Sequence, residues 1–311
     1  MRISLLCKDM GGYIGKLAGY LAEQGHDVLF LDTSKAGPSL GFLPRKVRSM
    51  AARYLASKRM MRRLQNFGPV DVLLVVNPGQ IEPRVIERGM SLARVSKAYL
   101  YDSLARSHVS EQWLKRYDQV FTFDTEDADR YGLTKLHNFM YEYPGEDQPH
   151  IEASCKAFLV MAGLDRIDLL DEIALRLEES GYPNYKFMVQ YKRAKAVRGN
   201  ISFFRERLGL DDIAPYLKHT DILIDLVRPR QKGLSFRIFE GMMYGKKVIT
   251  NNASVRLYDF YNPANILVID ERNLRLPKDF LDGAYQPVPT RIFERYTLQG
   301  WCATVFGTPG P

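Results

Sequence analysis

Cysteine, long apolar runs and, over one stretch, acidic residues are scarce in this chain. Its 311 residues include three cysteines, Cys7, Cys155 and Cys302. Scattered so widely, they match neither a disulfide framework nor the close spacing of a metal site, which points to a reducing compartment. No apolar run approaches the roughly 18–20 residues that cross a bilayer, so the chain is expected to be soluble or peripheral. The ISLLC after Arg2 is too short for the apolar core of a signal peptide and reads as a first strand. The five histidines, at 26, 108, 137, 150 and 219, show no HExxH or other paired spacing. A G-x-S-x-G elbow is missing too, so hydrolase chemistry has no support. There is no internal repeat and no low-complexity segment.

Acid is missing from one place in particular. Residues 33–70 hold nine Lys or Arg and no Asp or Glu, so with a total of +8 the rest of the chain sums to −1. One element, rather than the whole fold, makes the protein basic. Its sequence, LPRKVRSMAARYLASKRMMRRLQNF (43–67), has the period of an amphipathic helix. Val47, Met50, Ala51, Tyr54, Met61 and Leu64 share one face, and Arg48, Arg53, Arg59, Arg62 and Arg63 lie mainly on the other. No nucleic-acid recognition motif or set of stacking aromatics accompanies the charge, so nucleic acid is not expected as a partner. A basic amphipathic helix suits an anionic membrane surface or a phosphorylated lipid, with Arg59, Arg62 and Arg63 facing it.

What remains is an ordinary globular composition, 46% hydrophobic and 26% charged, long enough for two cores. Short runs rich in Val, Ile, Leu and Phe alternate with helical stretches, as buried parallel strands joined by crossover helices do. In the first half, strands at 2–7, 27–32, 71–76, 97–102 and 119–124 alternate with helices at 13–24, 45–65, 82–94 and 110–117. The stretch 141–155, with two prolines and a glycine, breaks the rhythm as a linker would. A second series follows: strands at 157–163, 185–191, 221–227, 246–250 and 265–270, helices at 165–180, 202–208 and 235–244, and a turn at 209–215. The expected fold class is α/β with two Rossmann-like domains facing a cleft. Residues 1–145 form the first and 150–289 the second, and a helical tail over 290–311 returns to the first.

The most informative stretch is DLVRPRQKGLSFRIFEGMMYGKKVITNN (225–252). A strand feeds a basic loop with Arg228, Arg230, Lys232 and Gly233. A helix then opens near Ser235, carries Arg237 and Glu240, and ends at Gly245 before the next strand. Such a unit presents backbone N–H groups and a positive helix end at the tip of a parallel sheet, where phosphorylated ligands are held. Arg237 in the first helical turn opposes the dipole, and an anion in front of the helix would resolve that conflict. The plain structural alternative is a solvated basic loop with a surface ion pair.

This stretch resembles the donor motif of GT-B glycosyltransferases, in which a Glu on the helix holds the nucleotide ribose and the preceding loop the diphosphate. RQKGLSFRIFEGMMYGKKVITNN is most similar to bacterial lipopolysaccharide and capsule glycosyltransferases. LAEQGHDVLFLD (21–32), YLYDS (99–103), VFTFDTEDADRYGL (120–133) and TLQGWCATVF (297–306) resemble the same group. The resemblance implies donor contacts from Arg228, Lys232, Gly233, Ser235, Arg237 and Glu240. The basic QYKRAKAVRGN loop (190–200) stands at a strand end, where Lys192 would add a phosphate contact; solvated loop charges are the plain alternative. Many retaining members carry a second glutamate eight residues earlier, and Lys232 stands there, so the anomeric outcome stays open.

In the first half, KDMGGYIGKLAG (8–19) lets backbone approach a ligand at Gly11, Gly12 and Gly15, and Asp32 ends the next strand. Met10 stands where the dinucleotide G-x-G-x-x-G needs glycine, which speaks against a nicotinamide-dependent oxidoreductase. In the GT-B reading Gly11, Gly12 and Tyr13 line the acceptor side. An inverting transferase needs a general base, for which Asp102, Asp9 and Glu142 are candidates in that order. Asp124 in DTEDADRYG is expected to cap a helix rather than bind metal. The reading is therefore a metal-independent glycosyltransferase without a cofactor. It would use a nucleotide-sugar donor and a lipid-linked or oligosaccharide acceptor in bacterial surface polysaccharide synthesis. Its expected place is the cytoplasmic face of the cell membrane. The rival from another class is a catalytically silent nucleotide-binding or scaffold protein.

Overall fold

The computed structural model describes residues 1–35, 45–107, 109–142, 154–228 and 231–307, of which 35 and 45–50 are described by backbone alone. The chain forms two compact units, Met1–His137 and Asn138–Pro311. Most of the expected linker, 143–153, lies outside the described residues, as does Arg230.

The first unit runs β1 (Arg2–Cys7), α1 (Tyr13–Glu23), β2 (Asp27–Asp32), α2 (Arg45–Phe67), β3 (Val70–Val76), α3 (Pro83–Met90), β4 (Ala93–Leu100), the short α4 (Leu104–Ser107) and α5 (Glu111–Leu114), β5 (Gln119–Thr122), α6 (Thr125–Tyr131) and β6 (Thr134–Lys135). All pairs are parallel, in the order β2-β1-β3-β4-β5-β6. Parallel neighbours require crossovers, and α1 shows why these residues supply one. Ile14, Leu17, Ala18 and Leu21 form a buried stripe at helical spacing, beneath which β1 is buried from Ile3 to Cys7. The order reverses at β1, so the loops after β1 and β3 part there.

The second unit runs β7 (Cys155–Ala162), α7 (Ile167–Glu179), β8 (Tyr185–Gln190), β9 (Ile201–Phe204), α8 (Leu210–Lys218), β10 (Thr220–Asp225), α9 (Phe236–Met243), β11 (Lys247–Thr250), β12 (Ile266–Val268), α10 (Lys278–Asp282), α11 (Thr290–Phe293) and α12 (Leu298–Phe306). Its parallel sheet is ordered β12-β11-β10-β7-β8-β9 and reverses between β7 and β10. Ile167, Leu170, Ile173, Ala174 and Leu177 of α7 seal one face. Helix α9 is buried nearly all round. Phe236 meets Phe139 edge-on, Phe239 packs against Phe260 and Tyr296, and Trp301 of α12 closes on Phe139. Lys247 is buried with it, its ammonium held by the carbonyls of Phe280, Leu281 and Gly283 at the end of α10.

The two Rossmann-like α/β units expected from the alternation are thus present. Two elements differ. Residues 202–204, expected to open a helix over 202–208, instead belong to the edge strand β9, because the Ile, Phe and Phe of ISFF favour the pleated edge beside β8 over the helical charge pattern that follows. The expected turn at 209–215 is helix α8, started by Asp212, whose carboxylate accepts from the Gly209 N–H at 2.8 Å, and tolerating Pro215 within it. In α2 the buried stripe is Met60 and Leu64, with Ala56, Met61 and Phe67 against it. Tyr54, expected on that face, is 64% exposed, since it stands about a third of a turn from the line of Met60 and Leu64. The side chains of Val47 and Met50 lie outside the described set.

Two glycines should respond oppositely to a methyl group. At Gly241 a Cβ would stand 2.4 Å from Val248 Cγ2, whereas at Gly19 it would meet nothing within 4 Å. Gly241→Ala should lose about 1 kcal/mol net, overpacking outweighing helix propensity. Gly19→Ala should gain roughly 0.5–1 kcal/mol. Urea midpoints of the two variants check this, and shifts of the same sign would contradict the packing described.

Candidate functional site

The loop after β10 starts from a buried carboxylate. Asp225, the last residue of the strand, accepts from Ser235 Oγ at 2.7 Å and from Thr250 Oγ1 at 2.9 Å. Ser235 Oγ in turn accepts from the Arg237 N–H at 3.1 Å, which makes it the N-cap of α9. One side chain thereby joins the ends of β10 and β11 to the start of the helix. Burial pushes the Asp225 carboxyl above its ordinary value, a shift only partly countered by the two hydroxyls, Arg237 and Arg166.

The carbonyls of the loop are then tied down in sequence. Arg166 donates from Nη1 to the Leu226 carbonyl at 2.5 Å and from Nη2 to that of Ala162 at 3.0 Å, spanning the ends of β10 and β7 at the point where the sheet reverses. Asn251 pairs with both backbone groups of Val227, accepting from its N–H at 2.7 Å and donating to its carbonyl at 3.2 Å. Buried Asn252 donates to the carbonyls of Gly233 at 3.1 Å and Lys232 at 3.4 Å. Buried Asn138 donates to that of Leu234 at 2.9 Å. With these carbonyls occupied, the loop's remaining hydrogen-bonding capacity lies in its N–H groups. Among the described residues none accepts from those of Gly233 or Leu234. N–H groups held this way form an anion-binding concavity.

Cations surround that backbone. Arg228 Nε pairs with Asp165 at 2.8 Å, and although burial pushes the Asp165 carboxyl up, the guanidinium groups of Arg166 and Arg228 outweigh it and hold it below its ordinary value. Lys232 is exposed beside Gly233. Arg237 finds its anion inside the protein: Nη1 lies 2.7 Å from Glu240 Oε2, with the two side chains 11% and 1% exposed. Tyr141 donates to the other Glu240 oxygen at 3.0 Å. The helix-dipole conflict is therefore met by internal carboxylates, and Glu240, expected at a ribose, is enclosed between Arg237 and Tyr141. Lys192 is exposed on its loop, while Lys195 and Arg198 pair with Asp168, Asp171 and Glu172 of α7.

In the first unit, Asp9 is the cap of α1, its oxygens accepting from Gly12 N–H at 2.9 Å and Gly15 N–H at 2.7 Å. Asp32 accepts from the Asp9 and Ser34 N–H groups and from Ser34 Oγ. Gly12 has φ 93°, a left-handed conformation that favours glycine, and at Gly11 a Cβ would strike the Tyr13 ring at 2.5 Å. Asp102 follows β4 and lies 3.4 Å from Asn77 Nδ2 and 3.7 Å from Arg106 Nη1. Asn77 is a residue that the sequence reading missed. It is buried at the end of β3 with φ 47° and accepts from the Tyr101 N–H at 3.1 Å. Its only sequence signal was an Asn before Pro-Gly. Glu142, the third base candidate, accepts from Tyr244 at 3.2 Å and lies 3.6 Å from Lys218. Asp124 caps α6 as expected, accepting from the Glu126 and Asp127 N–H groups.

On α2 the outward face carries Tyr54, Leu55, Lys58, Arg59 and Arg62, all exposed. Arg63 is exposed too and reaches back to the Phe30 carbonyl at 3.4 Å. Among the described residues no helix is long and apolar enough to cross a membrane.

No protein-family model matches the chain, and no curated protein matches it significantly. Among solved structures, it is similar to a UDP-forming α,α-trehalose-phosphate synthase from Burkholderia xenovorans, with TM-score 0.52 and 10% identity over 98% of each chain. That likeness gives the fold: two Rossmann-like units of the GT-B type. Lower scores link it to a family 9 glycosyl transferase from Veillonella parvula (TM-score 0.41, 10% identity, 98% of this chain and 96% of that one). The same score of 0.41, at 13% identity over 82% of each chain, links it to the glycosyltransferase SnogD from Streptomyces nogalater.

The raised Asp225 value has a definite sign. A group whose folded value exceeds its unfolded one stabilises fully below the ordinary carboxylate value and loses that contribution as pH rises through the folded value. In Asp225→Asn the amide still serves both hydroxyls, one as acceptor and one as donor. The stability of wild type relative to this variant should therefore fall as pH increases from about 4. Urea unfolding across the acid range measures it, and a difference that rises with pH would contradict the sign.

Proposed function

We propose that this chain is a glycosyltransferase that moves a sugar from a nucleotide-sugar donor to a lipid-linked or oligosaccharide acceptor in bacterial surface polysaccharide synthesis. The observation that carries this reading is the loop 226–237. The carbonyls of Leu226, Val227, Lys232, Gly233 and Leu234 are tied, no described residue accepts from the N–H groups of Gly233 and Leu234, and Arg228, Lys232 and Arg237 belong to the same loop and helix start, after a strand at the reversal of a parallel sheet. A diphosphate is the anion that matches this spread of donors. The GT-B type of fold and the motif at 231–252 support the same reading.

In this reading the N–H groups of Gly233 and Leu234 and the cap at Ser235 take the phosphate oxygens. Arg228, Lys232, Arg237 and, from its own loop, Lys192 offset their charge. Glu240 acts through Arg237, and a ribose would reach its carboxylate only by displacing Tyr141. The cations and the helix end stabilise the departing nucleotide phosphate, so transfer proceeds without a divalent ion. Asp102 is the general base for the acceptor hydroxyl, oriented by Asn77. Gly11, Gly12 and Tyr13 belong to the acceptor side. The outward face of α2 holds the protein to the anionic inner face of the membrane, where Tyr54 and Leu55 add apolar contact to the charge.

Thermal-shift screening against UDP, GDP, CMP, ADP and dTDP compounds, followed by calorimetry, tests the donor site. Arg228→Ala and Arg237→Ala should each cost roughly 1.5–3 kcal/mol of nucleotide affinity. Unchanged affinity in both folded variants would remove the site. Release of free nucleotide from the matching donor, undiminished by EDTA, is the expected sign of a metal-independent enzyme. Binding without any turnover would leave a silent nucleotide-binding protein instead.

Co-sedimentation with phosphatidylglycerol vesicles tests the helix. Each basic residue near such a surface contributes on the order of 1 kcal/mol. Replacing Arg59, Arg62 and Arg63 with Gln should therefore cut pelleting sharply at low salt and leave nucleotide affinity unchanged. Equal pelleting of wild type and variant would sink the membrane role.

A further inference from the structure

Residues 138–142 open the second unit, and each of them is fastened to the loop at 231–235, to α9 or to the segment that starts α12. Asn138 donates to the Leu234 carbonyl at 2.9 Å. Phe139 is fully buried between Phe236 and Trp301, with ring centroids 5.3 and 5.1 Å away. Met140 makes a parallel bridge with Thr297, donating to the Tyr296 carbonyl at 2.8 Å and accepting from the Leu298 N–H at 3.1 Å. Tyr141 donates to Glu240 at 3.0 Å, and Glu142 meets Met243 and Tyr244. A covalent connection needs none of this. The contacts fall on the two features that define the anion loop, its last carbonyl and the carboxylate that holds Arg237.

We propose that the segment 138–142 is a clasp that sets the shape of the loop 231–235 and thereby its affinity for a diphosphate, with Asn138 and Tyr141 as positioning residues. The ligand half of this rests on the donor reading above. The Asn138 amide fixes the Leu234 carbonyl on the buried side, as Asn252 fixes those of Lys232 and Gly233. Because a peptide unit is planar, one fixed carbonyl orients the N–H of the next residue as well, here the capping Ser235. Tyr141 holds one Glu240 oxygen, so the other is left to steady Arg237. Neither residue needs to touch the ligand. Binding and clasping favour each other because both require the same loop conformation, and such linkage is reciprocal.

Two variants separate this from general packing. Asn138→Leu keeps the side-chain volume and removes the donor, while Tyr141→Phe removes a single hydroxyl and keeps the ring, should the first fold poorly. Hydrogen–deuterium exchange of the ligand-free protein should lose protection at 231–237 in each variant, with β7, β8 and α7 unchanged. Affinity for the best nucleoside diphosphate, and for inorganic pyrophosphate, should fall roughly five- to tenfold, the equivalent of one hydrogen bond. Affinity for the matching nucleoside, which lacks the phosphates, should stay as it was. Unchanged exchange at 231–237 in both variants overturns the clasp whatever binds. Equal losses for nucleoside and diphosphate overturn the positioning role, since that is the pattern of a general structural defect. If exchange responds while wild type binds neither nucleotide nor pyrophosphate, the donor reading fails and the ligand half of this proposal fails with it.

Discussion

A carboxylate removed from water has to be held by donors, and in the second unit that requirement organises everything around it. Asp225 recruits one hydroxyl from the next strand and one from the start of the following helix. The loop between them is thus closed at its base before any of its own residues interact. An unpaired buried charge would be costly, so strand β10, strand β11 and helix α9 cannot separate without leaving this carboxylate unpartnered. The fixed base holds the two described ends of the excursion, 226–228 and 231–234, to the strands and the helix.

The tying of the loop follows a single chemical rule. Amides and guanidinium groups, which can offer several N–H donors each, are aimed at carbonyl oxygens: Arg166, Asn251, Asn252 and Asn138 all serve this way. Carbonyl oxygens near an anion would repel it, and engaging them in hydrogen bonds removes that repulsion. Lys247 applies the rule elsewhere, gathering three carbonyls at the end of α10 around one ammonium.

Much of this was legible in the chain. The alternation of short apolar runs with amphipathic stretches gave nearly every strand, because buried parallel strands have few other ways to be written. The reading failed at 202–215, where the helical spacing of charges after ISFF outweighed the β preference of its aromatic residues, and where Pro215 hid a helix. The motif at 225–252 located the loop, and Ser235 as cap followed from residue type alone. What could not be read was which side chains hold it. Asn138, Asp165 and Arg166 lie 60 or more residues away in sequence and are brought in by topology. Arg237 and Glu240 were legible as a pair, but Tyr141 on the Glu240 carboxylate and the Phe158 ring beneath Arg237 are contacts that no local pattern announces. Tyr54 was placed on the wrong face of α2 because a one-residue phase error in a helix moves a side chain by about 100°.

Helix α9 is enclosed nearly all round, whereas the loop before it is fixed by its backbone and leaves Lys232 exposed. This separates two kinds of freedom. A substitution on the helix must fit a closed volume, and one at Asn251 or Asn252 must still reach a carbonyl. Lys232, exposed on the loop, is under no such demand to fit a closed volume. In the proposed donor role, the charge offered to a ligand is therefore adjustable at Lys232 without redrawing the frame, and the preference for one anionic ligand over another can drift there while the fold stays as it is.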